Sequence, residues 1–98
     1  MAFIQIMDLH TSKFDEVQKL NDEWRNSTEG KRTLQRSIVA RDRNDPEHYV
    51  VLAFFETPES ATKNSNLPET SSFAEKIAAL MSAPIQFTDF DVAVDNEG

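Results

Sequence analysis

The stretch His48-Tyr-Val-Val-Leu-Ala-Phe-Phe-Glu56 decides the fold. Seven apolar or aromatic residues stand in a row, with one polar residue at each end. The run is too short for a buried helix and carries no helical stripe. It is rich in β-branched and aromatic residues, which defines a strand covered on both faces. Such a strand lies in the middle of a sheet, and the rest of the chain must supply the layers around it.

Ala2 to His10 is a second strand of this kind. Phe3, Ile4, Ile6, Met7 and Leu9 leave no continuous polar face, so it belongs inside the same sheet. Between the two lies a helix from about Lys13 to about Thr28. Phe14, Val17, Leu20, Asn21 and Trp24 recur at helical spacing on one side of it. Ser12 is the expected cap, Asp15 sits in the first turn where the dipole favours an acid, and Gly30 supplies the stop. Thr33 to Asp42 mixes charge with β-branching, which suits an edge strand. Arg43-Asn-Asp-Pro-Glu47 is turn chemistry and joins it to the His48–Glu56 strand as a hairpin.

Beyond Glu56, Thr57-Pro58-Glu59 is a helix start, a hydroxyl cap followed by proline at the first helical position. Ser60 to Asn66 gives only a turn or two, and Leu67-Pro68 interrupts it. A longer helix follows from about Glu69 to about Ser82, with Phe73, Ala74, Ile77, Leu80 and Met81 as its apolar stripe and Pro84 as its end. Ile85 to Val94 is the last strand. Its apolar residues change parity between Phe87 and Phe90, which predicts a bulge or bend.

Strand, helix, strand, strand, helix, strand is the split βαβ order of an α+β, ferredoxin-like sandwich with an antiparallel sheet. The first and third strands are its central pair, and they are the two that are apolar on both faces. Both helices cover one face. The other face would expose more apolar surface than a soluble monomer carries, so a second copy is expected to pack on it and form a dimeric α/β barrel.

Bulk composition narrows the function. The 98 residues make a single domain, 1–98, and a chain this size benefits from a partner that buries more surface. There is no cysteine, hence no disulfide, thiolate metal site or cysteine nucleophile. A net charge of −7 argues against nucleic acid as a partner. Lys31, Arg32, Arg36, Arg41 and Arg43 cluster in one segment, read here as a solvated edge strand and its turns rather than an anion site. No stretch resembles a signal peptide or a membrane span, which points to the cytoplasm. With Gly30 and Gly98 the only glycines, no phosphate loop or dinucleotide fingerprint is possible.

Tyr49 through Glu56, then Thr57-Pro58-Glu59-Ser60-Ala61, then Phe73 at the head of the second helix together resemble the antibiotic biosynthesis monooxygenase-like domains. The resemblance covers nearly the whole chain in layout. It implies a dimeric α/β barrel, and an activity among cofactor-independent oxygenation of aromatic polyketides or quinols, haem degradation, or none defined. Many members carry a histidine shortly before the second-helix phenylalanine, where this chain has Asn64 and Asn66. The haem-degrading branch needs a second-helix histidine and a first-strand asparagine. This chain has neither at those places, so the expected cofactor is none.

A cofactor-independent oxygenase lets its substrate become a carbanion that reacts with dioxygen. The protein supplies a dry pocket, a polar group for an enolate and a weak base. The resemblance therefore assigns Asn66 and His10 to catalysis, and Trp24, Arg36, Tyr49 and Phe73 to a small hydrophobic or aromatic ligand held between helices and sheet. Each has a plainer role: core packing for Trp24, capping for Asn66, an ion pair across the dimer for Arg36. No metal site is expected. His10 and His48, at opposite ends of strands taken as parallel neighbours, would stand roughly 26 Å apart. The competing readings are a small-molecule binding module without turnover, and a protein whose dimer serves assembly.

Overall fold

The computed structural model describes residues 2–98. Its elements are β1 (Phe3–His10), α1 (Phe14–Ser27), β2 (Arg36–Arg41), β3 (His48–Phe55), α2 (Pro58–Ser65), α3 (Pro68–Ala79) and β4 (Gln86–Asp91). The four strands form one antiparallel sheet in the order β2-β3-β1-β4. The doubly apolar strands β1 and β3 are the central neighbours, and β2 is an exposed edge strand, all as the composition requires.

One expectation about these strands is corrected. β1 and β3 run antiparallel, with His10 opposite His48 and Phe3 opposite Phe55. The reason is connectivity. β1 and β2 point the same way because α1 returns the chain between them. The tight β2–β3 turn then reverses direction, so β3 must run against β1.

Local signals explain the helices. Thr57 accepts the backbone N–H of Ser60, and Ser60 answers with its own hydroxyl, a closed capping box with Pro58 inside the first turn of α2. Leu67 stays extended ahead of Pro68, which separates α2 from α3. At the C-terminus of α1, Thr28 is fully buried and its hydroxyl donates to the Trp24 carbonyl at 2.6 Å. Gly30 takes a φ of +79°, the left-handed turn that a side chain would strain.

Three smaller expectations are also corrected. Lys13, not Ser12, caps α1, because the buried Thr11 hydroxyl takes the Lys13 N–H at 3.0 Å and donates to Leu80 at 2.7 Å. α3 ends at Ala79, well before Pro84, since the chain turns so that the Ser82 N–H can reach the His10 carbonyl at 2.8 Å. β4 carries no bulge. Its register with β1 runs unbroken from Asp8↔Gln86 to Phe3↔Asp91, so Phe87 and Phe90 point to opposite faces of an exposed edge.

The two faces of the sheet differ. Phe3, Leu9, Tyr49, Ala53 and Phe55 alternate onto the helix side and are buried, and Ala61 of α2 packs against Phe3, Ala53 and Phe55. Ile4, Ile6, Val50, Leu52 and Phe54 alternate onto the other side, where they are only half-buried, with Ile38 and Phe90 exposed beside them. No described helix is long and apolar enough to cross a membrane.

Candidate functional site

The aromatic residues on the helix side form three pairs, of which Phe3–Phe55, with ring centres 6.4 Å apart, belongs to the core beneath α2. Trp24 is buried between α1 and α3, with its ring 5.7 Å from that of Phe73 and its indole N–H donating to the Thr70 hydroxyl at 2.9 Å. Lys31 closes the same end of the helix pair through Glu69 at 2.7 Å, which holds the Glu69 carboxyl below its usual range. Tyr49 lies elsewhere on that face, stacked on Phe14 at 4.2 Å with nearly parallel rings and with the Arg41 guanidinium 5.7 Å from its centre. Further along α1 and α3, a groove of about 420 Å3 has Leu20, Ala79 and Leu80 as its floor and Glu16, Glu23, Lys19 and Lys76 at its rim.

Asn66 is exposed at the C-cap of α2, where its backbone N–H bonds to Thr62. The buried amide of that helix break is Asn64, whose side-chain oxygen accepts the Thr33 N–H at 3.1 Å and ties the approach to β2 to α2. Arg36 is exposed at the start of β2, in a cleft shared with Arg25 and Arg32. Thus Trp24 and Phe73 come together, Tyr49 stacks on Phe14 instead, and the register puts Arg36 and His10 on the helix-free side of the sheet.

The antiparallel pairing assembles something that the sequence reading placed 26 Å apart. His10 and His48 face each other on the helix-free side of the sheet, with ring centres 4.6 Å apart and planes within 8°. Asp8 shares that face, and its carboxylate sits 2.7 Å from His48 Nε2, while Asp42 reaches His48 Nδ1 at 2.8 Å. A proton on each ring nitrogen lets both donate to the carboxylates, so the two contacts favour the imidazolium form of His48. The sequence signal was available: Asp8 and His10 are two apart and so share a face, and the hairpin turn fixes the direction of β3.

This clamp titrates. The hydrogen bond His48 donates to Asp42, then the one it donates to Asp8, raises the His48 pKa above the ordinary imidazole value, and accepting from His48 lowers that of Asp42. Stability from His48 is therefore complete below its unfolded pKa and is lost as pH rises through the raised folded value. Stability from Asp42 is present above the ordinary carboxylate value and is lost as pH falls through the lowered one. Thermal melts are expected to show wild-type stability declining as pH rises above neutral, with His48→Gln insensitive over that range. Parallel wild-type and variant curves would show that the clamp does not form. With both nitrogens occupied, His48 is no free base and no open ligand. Among the described residues, no group of three or more His, Cys, Asp or Glu side chains is placed to hold a metal.

No family model matches the chain, and no curated protein matches its sequence. Solved structures do match its fold. An antibiotic biosynthesis monooxygenase superposes with a TM-score of 0.75 at 16% identity, covering 96% of this chain and all of that one. SnoaB, a cofactor-independent oxygenase from Streptomyces nogalater, gives 0.78 at 13% identity over 96% and 94% of the two chains. Rv0793 from Mycobacterium tuberculosis gives 0.80 at 9% identity over 99% and 100%. The chain therefore has the ferredoxin-like α+β fold of structures named antibiotic biosynthesis monooxygenases, as its sequence pattern led us to expect. At these identities the likeness establishes the fold.

Proposed function

We propose that this protein is a cofactor-independent monooxygenase-like protein that takes a small aromatic or hydrophobic metabolite between its helices and sheet and works as a homodimer. The observation that carries this reading is its end-to-end likeness in fold to SnoaB, a cofactor-independent oxygenase. An open groove between α1 and α3, with Leu20, Ala79 and Leu80 among its lining, and the Trp24–Phe73 and Phe14–Tyr49 pairs on the helix side support this reading. Flat rings stack well on such pairs, and a dry site strengthens whatever polar contact meets a developing enolate. Asn66 is the amide nearest in role, at the break between α2 and α3. His10 lies on the opposite face of the sheet, so as a base it serves only a ligand that reaches that side.

The alternative is non-catalytic: a small-molecule-binding or dimer-assembly protein of the same fold. One observation favours it. The indole N–H of Trp24 is already committed to Thr70, and His10 lies on the opposite face of the sheet.

Trp24 is the only tryptophan, so its fluorescence reports on the helix interface alone. We expect a thermal-shift screen of quinols and polyketide-like aromatics to return a compound that raises the melting temperature and quenches Trp24. Oxygen uptake with that compound, with no flavin or metal added, would support the enzyme. Quenching without oxygen uptake would assign the binding role. A screen in which no aromatic compound perturbs Trp24 would remove the ligand site altogether.

A further inference from the structure

We propose that the Asp8–His48–Asp42 clamp belongs to the surface on which two copies of the chain meet, and that the proton on His48 holds this contact together, so that the dimer loosens as pH rises above neutral. The inference rests on the homodimer proposed above. It adds a polar component to the interface and a control over it.

Strand register puts the clamp on the helix-free face. Asp8 alternates in phase with Ile4 and Ile6 of β1, and His48 with Val50, Leu52 and Phe54 of β3. Asp42 follows Ala40 by two residues, and its N–H donates to the His48 carbonyl at 2.9 Å, which continues the pairing of β2 with β3. Asp8 lies between Val50 and Gln86, in the row next to Ile38, Leu52, Ile6 and Thr88. Alternate residues of a strand are about 7 Å apart, so a copy that covers the apolar row also reaches the clamp. Water still touches all three side chains: His48 is 22% exposed, Asp8 37% and Asp42 32%. A second copy therefore has solvent to displace from them.

With a proton on each ring nitrogen of His48, the three side chains carry one net negative charge; with one proton removed they carry two. Their surroundings do not make up the difference. His10 stacks on the His48 ring, and Gln86 of β4 is neutral. Arg36 shares the face but stands six residues from Asp42, roughly 20 Å along the strand. The turn after Asp42 adds one base, Arg43, against two acids, Asp45 and Glu47, all exposed. In the free protomer water stabilises the doubly negative clamp. Covering the face removes that water, and a two-fold contact brings the same charge from each copy. Association thus favours the protonated clamp and lifts the His48 pKa further in the direction in which Asp42 and Asp8 already move it. By linkage, the stabilisation is whole below the pKa of the free protomer and is lost as pH rises through that of the dimer.

Sedimentation equilibrium of the full chain over a dilution series tests this, with circular dichroism confirming that the protomer stays folded. From about pH 6.5 to about pH 9 the dissociation constant is expected to rise about tenfold or more. His48→Gln should remove that dependence. Asp8→Asn takes one acceptor from His48 and should move the rise to lower pH. The nitrogen-15 shifts of the His48 ring should titrate at higher pH in the wild-type dimer than in Leu52→Asp. A wild type that is monomeric at every pH removes the homodimer and this inference with it. A dimer whose dissociation constant does not change with pH overturns this inference alone. So does a slope retained in His48→Gln, or a rise left in place by Asp8→Asn, which decides the matter should His48→Gln not fold.

Discussion

Trp24→Ala is expected to lower the stability of the folded chain by about 3–5 kcal/mol, the usual range for removing a buried tryptophan. Trp24 joins α1 to α3 by two contacts at once, ring against Phe73 and indole N–H to Thr70. Removing it leaves a cavity between the helices and frees the Thr70 hydroxyl. A domain of this size has only about 5–15 kcal/mol in total, so the variant should sit close to its unfolding transition at room temperature. Trp24→Phe separates the two contributions. It keeps most of the packing and loses the hydrogen bond, and should cost about 1 kcal/mol for that bond plus a smaller packing loss. Urea denaturation followed by far-ultraviolet circular dichroism measures both, since the signal does not depend on the tryptophan. If Trp24→Ala costs less than Trp24→Phe is expected to, the α1–α3 contact is not what holds the helices over the sheet.

Leu52→Asp is expected to leave a folded monomer if the wild type forms the homodimer proposed above. Leu52 is the middle of a row that crosses the helix-free face, with Ile38 on one side and Ile6 on the other, and Thr88 beyond. Ile4, Val50, Phe54 and Phe90 surround that row, an apolar surface of the kind that a second copy would cover. A carboxylate there is solvated in the monomer but desolvated and unpaired in a sheet-to-sheet dimer. A penalty of about 4 kcal/mol, modest for an unpaired buried charge, weakens association by about a thousandfold. Sedimentation velocity at micromolar concentration should therefore show a dimer for the wild type and a monomer for the variant, with the circular dichroism spectrum unchanged. A wild type that sediments as a monomer, or a variant that still dimerises, would place the interface elsewhere.

Much of this architecture is local in origin, and what is local could be read in advance. The Tyr49–Phe55 run has no polar face, so β3 is central. The mixed charge of Arg36–Arg41 makes β2 an edge. The Thr57-Pro58 start and the Leu67-Pro68 break are decided by backbone sterics and hydrogen bonds within three or four residues. The fold class follows from the order of such segments, and the matched structures agree with it.

Only the tertiary structure decided how the side chains meet. A strand that is apolar on both faces does not say which face the helices will take, because alternation at period two is the same from either side. Folding chose the Phe3, Leu9 and Tyr49 face for the helices and left Ile6 and Leu52 on the other. The clamp of His48 between Asp8 and Asp42 depends on strand direction and register across 40 residues of chain for one of its two bonds. Trp24 and Thr70 are likewise 46 residues apart. Turns and caps are settled by short-range sterics, which a sequence states directly. Which distant groups become neighbours is settled by the packing of whole elements, to which every residue contributes a little and no single motif contributes enough.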